Sequence, residues 1–360
     1  MMSPRSNPSI PRVLLVLVPL GLAVACGPEP VEEPAPRVDV AEADAQARQE
    51  GGEEGEDGES GENDGDVAYD LVFLSGRSGS NQLYRLNPES GELTTLTDLP
   101  PGVFGPRWVP ERQSLTFATE GDENLSAGLY ELRLGSSSPE EAAPTFLREN
   151  PAGDEVPEWV DGQRLLYSAV RAGNRDVFLL LLHDDPEGEE PVRLTEHPAE
   201  DLQPRWSPED NAVLFVSRRD GNQEVYRLDL ATRELINLTS HPSLEGHPEW
   251  APEGAGILFY RYDEGDADLY NLSLRPGEED TGDGTVQPGE AVNLTASEGN
   301  ELVGRYSPDG RWIVFSSERT GDWELFRMRP DGTEVEQLTE SEGFDGDPVW
   351  VPRGTFGEGG

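Results

Sequence analysis

The sequence predicts an all-β protein, a six-bladed β-propeller of four-stranded antiparallel blades closed by its C-terminal strand. Three observations carry that expectation. First, a Pro-x-Trp motif recurs: Pro106-Arg107-Trp108, Pro157-Glu158-Trp159, Pro204-Arg205-Trp206, Pro248-Glu249-Trp250 and Pro348-Val349-Trp350, with Gly304-Arg305-Tyr306 as a variant. Second, the copies are spaced 44 to 56 residues apart, a period that marks repeat architectures. Third, each copy is followed by short β-branched and aromatic runs bounded by turn residues, with no sustained helical period; four such strands per repeat make a propeller blade.

Composition narrows the function classes. Seventy-two acidic residues face 27 basic ones, every one of them Arg, for a net charge of -45. Such a chain repels nucleic acid and anionic headgroups, so neither is an expected partner. Without Lys there is no Schiff-base amine and no Walker-type phosphate loop. A single Cys excludes an internal disulfide and a Cys-based zinc site.

The chain opens with Arg5 and Arg12 ahead of an apolar run from Val13 to Val24. That run is too short to span a bilayer and reads as a secretory signal over 1–25. Its end, Leu22-Ala23-Val24-Ala25-Cys26-Gly27, resembles the bacterial lipobox. The resemblance implies that Cys26 is lipidated, and several acyl chains anchor stably where one does not. Gly27 stands where the lipobox pattern has Asp for inner-membrane retention, which implies an outer-membrane address, periplasmic or surface-facing. Residues 26–66 are then an expected tether. From 27 to 66 there are 15 acidic residues and two Arg, a net of -13. Such a segment cannot bury enough apolar area to offset chain entropy, so disorder is expected, with an r.m.s. reach of roughly 35 Å.

Each repeat has the same parts. A turn such as Ser307-Pro308-Asp309-Gly310 follows the Pro-x-Trp strand. Next come a strand such as Ala212 to Ser217 or Trp312 to Ser316, a Gly-bearing loop, and a second strand such as Glu224 to Leu228. A last strand ends in Leu-Thr at 96–97, 194–195, 238–239, 294–295 and 338–339; the second repeat has Phe146-Leu147 instead. The first unit, Tyr69 to Gly105, lacks a Pro-x-Trp strand, and Pro348-Val349-Trp350 is an orphan. Six units and one displaced strand therefore close a ring over 67–352, with 353–360 a flexible tail. Closure removes an exposed sheet edge.

The Pro-x-Trp-Ser-Pro-Asp/Glu motif, the Ser-x-x-Arg-x-Gly loop as at Ser316 to Gly321, the Tyr/Phe strand and the Leu-Thr ending resemble the TolB-like (WD40-like) propeller family. The resemblance covers about 67–352. It implies the architecture and no single activity, because the same repeats occur in envelope binding proteins, serine-peptidase propellers and pectate-type lyases. The family's namesake has a folded domain ahead of its propeller, where this sequence has the acidic tether.

The five Trp are expected between blades, each removing about 150–250 Å² from water. Trp323, in a turn beside Gly321, is a candidate for a binding surface. His197 and His241 occupy equivalent Thr-x-His-Pro positions, which points to loop structure. The loops from Arg77 to Gln82, Arg171 to Asp176, Arg219 to Glu224 and Arg319 to Glu324 suggest local ion pairs across a hairpin. The middle residue of Pro-x-Trp alternates in sign: Arg107, Glu158, Arg205, Glu249, Arg305. On innermost strands these five would form a ring of cross-blade ion pairs lining the channel, broken at Val349. Insertions at 135–144, 183–191 and 275–290 lengthen loops on one face. The run from Asp280 to Gly284 offers a faint calcium reading without EF-hand spacing, so no cofactor and no metal is expected.

No Gly-x-Ser-x-Gly elbow is present, and no catalytic residue is assigned. The sequence therefore leads to a non-catalytic, lipid-anchored cell-envelope propeller. It is expected to be a monomer that acts as a protein–protein interaction scaffold for another envelope protein. The alternative is a carbohydrate-binding or carbohydrate-active propeller on the same anchor.

Overall fold

The structure, a computed structural model, describes residues 67–135, 143–150, 156–171, 173–182, 190–207, 210–263, 265–276 and 286–356. The expected leader, Cys26 and the acidic tether lie outside the described residues. So do most of the three insertions, the 280–284 run included.

Six four-stranded antiparallel sheets follow one another along the chain. Blade 1 contains β1 (Tyr69–Ser75), β2 (Gln82–Leu86) and β3 (Leu93–Thr95), and β24 (Asp345–Pro352) pairs with β1. Blade 2 is β4 (Phe104–Val109), β5 (Ser114–Thr119), β6 (Gly128–Arg133) and β7 (Thr145–Arg148). Blade 3 is β8 (Glu158–Trp159), β9 (Arg164–Arg171), β10 (Asn174–Leu181) and β11 (Val192–Arg193). Blade 4 is β12 (Asp201–Ser207), β13 (Ala212–Ser217), β14 (Glu224–Asp229) and β15 (Leu235–Asn237). Blade 5 is β16 (Leu244–Trp250), β17 (Gly256–Asp263), β18 (Asp266–Pro276) and β19 (Val286–Asn293). Blade 6 is β20 (Glu301–Tyr306), β21 (Ile313–Ser317), β22 (Glu324–Met328) and β23 (Glu336–Gln337).

Closure falls where the orphan motif places it. On β24, Trp350 pairs with Leu71 and Val349 with Val72. Beyond the strand, Arg353 fastens the junction: its N–H donates to the Ala68 carbonyl at 2.8 Å and its Nε to Asp70 at 2.7 Å.

Alternation along the two middle strands puts one aromatic pair in every blade. Phe73–Tyr84, Phe117–Tyr130, Tyr167–Phe178, Phe215–Tyr226, Phe259–Tyr270 and Phe315–Phe326 have centroids 5.8 to 6.2 Å apart. Apolar clusters then join neighbouring blades; Leu71 and Phe73 of blade 1, for example, pack with Val314 and Leu325 of blade 6. The repeated Trp sit at these joints. Trp350 is buried and the other four are partly buried against a cluster. Three indoles also donate to the preceding blade: Trp159 to Thr116 Oγ1 at 2.8 Å, and Trp250 and Trp350 to the carbonyls of Arg205 and Arg305 at 3.3 Å. A large ring with one polar handle suits such a joint.

The Leu-Thr ending has a local cause. Thr97, Thr195, Thr239, Thr295 and Thr339 each accept, through Oγ1, an N–H of their blade's third strand, from Leu83, Val177, Val225, Leu269 and Leu325 in turn, at 2.9 to 3.1 Å. The outermost strand is thereby pinned by a side chain after its ladder ends.

Candidate functional site

The innermost strands β24, β4, β8, β12, β16 and β20 touch in that cyclic order around the propeller axis. Opposite the second strands, Arg107 pairs with Thr116, Glu158 with Leu166, Arg205 with Leu214, Glu249 with Leu258, Arg305 with Val314 and Val349 with Val72. These six residues thus share one level of the channel wall.

Their charges alternate and meet. Glu158 Oε2 lies 3.6 Å from Arg107 Nε and 3.7 Å from Arg205 Nη1. Glu249 Oε2 lies 3.4 Å from Arg205 Nε and 3.3 Å from Arg305 Nη1. The expected break at Val349 is absent. Asp347, two residues earlier on β24, brings Oδ1 to 3.4 Å from Arg305 Nη2 and 3.8 Å from Arg107 Nη1. The ring is a closed hexad of three guanidiniums and three carboxylates.

Asp347 holds this place through an irregular backbone. Pairing slips by one residue in β4, β12, β16, β20 and β24. The residue before the Pro-x-Trp tripeptide or its variant takes a left-handed φ: 58° at Gly105, 51° at Gln203, 47° at His247, 53° at Val303 and 48° at Asp347. A β-branched Val is strained there, and such bulges re-aim side chains. In blade 2 only Gly fits, since a Cβ on Gly105 would meet Val156 at 2.2 Å. Gln203 and His247 are also tied across blades, with the His247 N–H donating to Gln203 Oε1 at 2.8 Å.

Depth shapes the electrostatics. Burial, then the charge of Arg305, lowers Arg107 to about 10. Burial raises Glu249, with Arg305 and Arg205 opposing it. At Arg305 burial alone would lower the pKa, but Glu249 and Asp347 more than offset it. His247 is pushed down to about 3 by burial and then by Arg205. It therefore contributes no charge near neutrality.

The other candidates resolve differently. The local Arg-to-acid hairpin pairs are corrected. Arg77, Arg219 and Arg319 instead reach the first residue of the innermost strand: Asp345 at 2.6 Å, Asp201 at 2.9 Å and Glu301 at 3.4 Å. Each guanidinium lies over its blade's aromatic pair, and the stacking draws it inward from the hairpin. Each also donates its Nε to a Ser at 2.7 to 2.9 Å: Ser75, Ser217 or Ser317. The hairpin acids turn to other partners. Asp176 pairs with Arg193 at 2.6 Å, and Glu324 accepts from Thr339 Oγ1 at 2.6 Å. His197 and His241 organise their loops, each accepting through Nδ1 the N–H two residues on, at 3.1 and 3.2 Å. Trp323 is half-buried, and its carbonyl accepts the N–H of Asp345 at 2.9 Å. Among the described residues no three His, Cys, Asp or Glu side chains converge as a metal site.

Sequence reasoning missed Asp347, Gln203 and His247. A usable signal was present: the residue preceding each motif reads Gly105, Val156, Gln203, His247, Val303, Asp347, so the one blade with an apolar middle residue carries an acid there.

Comparison with known proteins places this architecture. Residues 156–282 match the family model described as the TolB beta propeller domain. An uncharacterized protein of Agrobacterium fabrum (strain C58) is 44% identical over 69 residues, 19% of this chain and 24% of that protein. The match thus spans about a quarter of that relative's length. TolB from Acinetobacter baumannii superposes with a TM-score of 0.63 at 18% identity, covering 80% of this chain and 68% of that one. A protein assigned as TolB from Agrobacterium tumefaciens gives 0.55 at 19%, covering 80% and 100%. Hydrazine synthase from Kuenenia stuttgartiensis gives 0.57 at 13%, covering 80% and 48%. At these identities the superpositions speak to fold alone. The chain folds as a six-bladed β-propeller similar to that of TolB, and its residues 156–282 match the TolB beta propeller domain model.

Proposed function

We propose that this protein is a non-catalytic scaffold of the cell envelope, lipid-anchored through Cys26, whose propeller holds another envelope protein. One observation carries the reading: a stretch matching the TolB propeller model lies downstream of an apolar run that ends in a lipobox-like Ala25-Cys26. Rigid blades present loops in fixed positions, which suits recognition. The acidic segment supplies reach between the anchor and the ring.

The test has two arms. With the full-length chain in a host that processes lipoproteins, Cys26→Ser is expected to abolish palmitate labelling and move the protein from membrane to soluble fraction. In intact envelopes, cross-linking is expected to capture one defined envelope protein. Capture is expected to disappear when residues 183–189 and 277–285, within the insertions at 183–191 and 275–290, are replaced by short turns, assayed with and without calcium. Unchanged fractionation of Cys26→Ser would remove the anchor, and turnover of a polysaccharide panel by the purified chain would replace the scaffold reading with a carbohydrate-active one.

A further inference from the structure

Away from the axis, four inter-strand ion pairs close tightly, while Arg319–Glu301 stays at 3.4 Å. Arg85 meets Asp70, Arg193 meets Asp176 and Arg77 meets Asp345 at 2.6 Å, and Arg261 meets Glu245 at 2.8 Å. None of the six channel contacts is shorter than 3.3 Å. Only the two made by Arg305, to Glu249 at 3.3 Å and to Asp347 at 3.4 Å, are hydrogen bonds. Nε of Arg107, Arg205 and Arg305 and Oε2 of Glu158 are buried atoms with no hydrogen-bond partner in the protein. Arg205 and Arg305 are each only 8% exposed. Arg107 and Arg205 also bend Nη1 back to the Pro106 and Pro204 carbonyls, at 2.8 and 3.0 Å, which fixes how the guanidiniums are presented. Buried donors and acceptors are ordinarily paired, so this cluster of incomplete ones points to an occupant.

Charge selects the occupant. Three guanidiniums and three carboxylates sum to zero, and neutral His247 leaves that balance unchanged. A bare anion would meet three carboxylates as well as three cations, and a bare cation would meet the reverse. A molecule carrying both signs, as far apart as neighbouring heads in the ring, satisfies both. Guanidinium N–H groups take carboxylate oxygens, and a carboxylate oxygen takes an ammonium N–H.

We propose that the channel ring binds a small α-amino-acid zwitterion, its carboxylate held by the Arg Nε–H groups and its ammonium by Glu158 Oε2 and a neighbouring ring carboxylate.

Calorimetric titration of the full-length chain with glycine, alanine and serine tests this, with acetate and methylamine as single-charge controls at matched ionic strength. The expected result is saturable one-to-one binding of at least one zwitterion, about ten-fold or more tighter than either control. Glu158→Gln is expected to weaken that binding about ten-fold while thermal unfolding stays cooperative. No saturable heat from any of the three amino acids would overturn the proposal, as would acetate or methylamine binding equally tightly. Should Glu158→Gln fail to fold, the comparison of zwitterion with single-charge controls on the unaltered chain decides alone.

Discussion

The channel ring and the arginine clusters flanking it draw on the same side chains and use them oppositely. In the flanking clusters Arg219 lies over Phe215 and Tyr226, donates to Ser217 and grips fully buried Asp201. In the ring Arg205 stands between Glu158 and Glu249, with both contacts long. Arg219 is consumed by internal bonding, whereas Arg205 keeps its Nε without a hydrogen-bond partner. Location explains the difference. The flanking group has a blade's own aromatic pair to stack on, while the ring group finds its carboxylate partners only on neighbouring blades.

Breaking one bond of each kind sharpens the contrast. The largest effect is expected from Arg219→Met, which leaves buried Asp201 uncompensated and costs about 3–5 kcal/mol of stability in urea unfolding. An intermediate effect belongs to Glu324, buried beside Asp345. Burial raises its pKa, although Thr339 and the Ser341 N–H oppose the shift. The folded state therefore holds this proton more tightly than the unfolded chain. That contribution is complete at acid pH and lost as pH rises from the ordinary Glu value of about 4.3 through the raised one. Glu324→Gln is expected to flatten this part of the fall, read from unfolding curves at successive pH values. The smallest effect is expected from replacing a ring pair together, Arg305→Met with Glu249→Met. Removing both members strands no new charge in that pair, so stability stays within about 1 kcal/mol of the original or rises. A loss as large as that of Arg219→Met would show the ring to be a structural clamp.

The architecture was legible because it is written six times. A missing strand in the first unit and a surplus one after the sixth gave the closure without any long-range information. Alternation of Arg and Glu was legible for the same reason. What one residue type per blade cannot show is a slip in pairing. Asp347 enters the ring only because β24 kinks into a left-handed residue, and nothing in the tripeptide Pro348-Val349-Trp350 announces that. The flanking arginines were misassigned through a bias toward near neighbours in sequence. Arg77 passes over residues five positions away to reach Asp345, separated by 268, because stacking on Phe73 and Tyr84 fixes its direction first.

The pairing of β24 with β1 also sets an order of events during synthesis. Tyr69 emerges from the ribosome long before Pro352, its eventual neighbour, so the ring cannot shut until the chain has been made through Pro352. Contacts so distant along the chain form slowly, because the intervening loop must first be closed. A nascent molecule of this design stays open at one seam until β24 has been made.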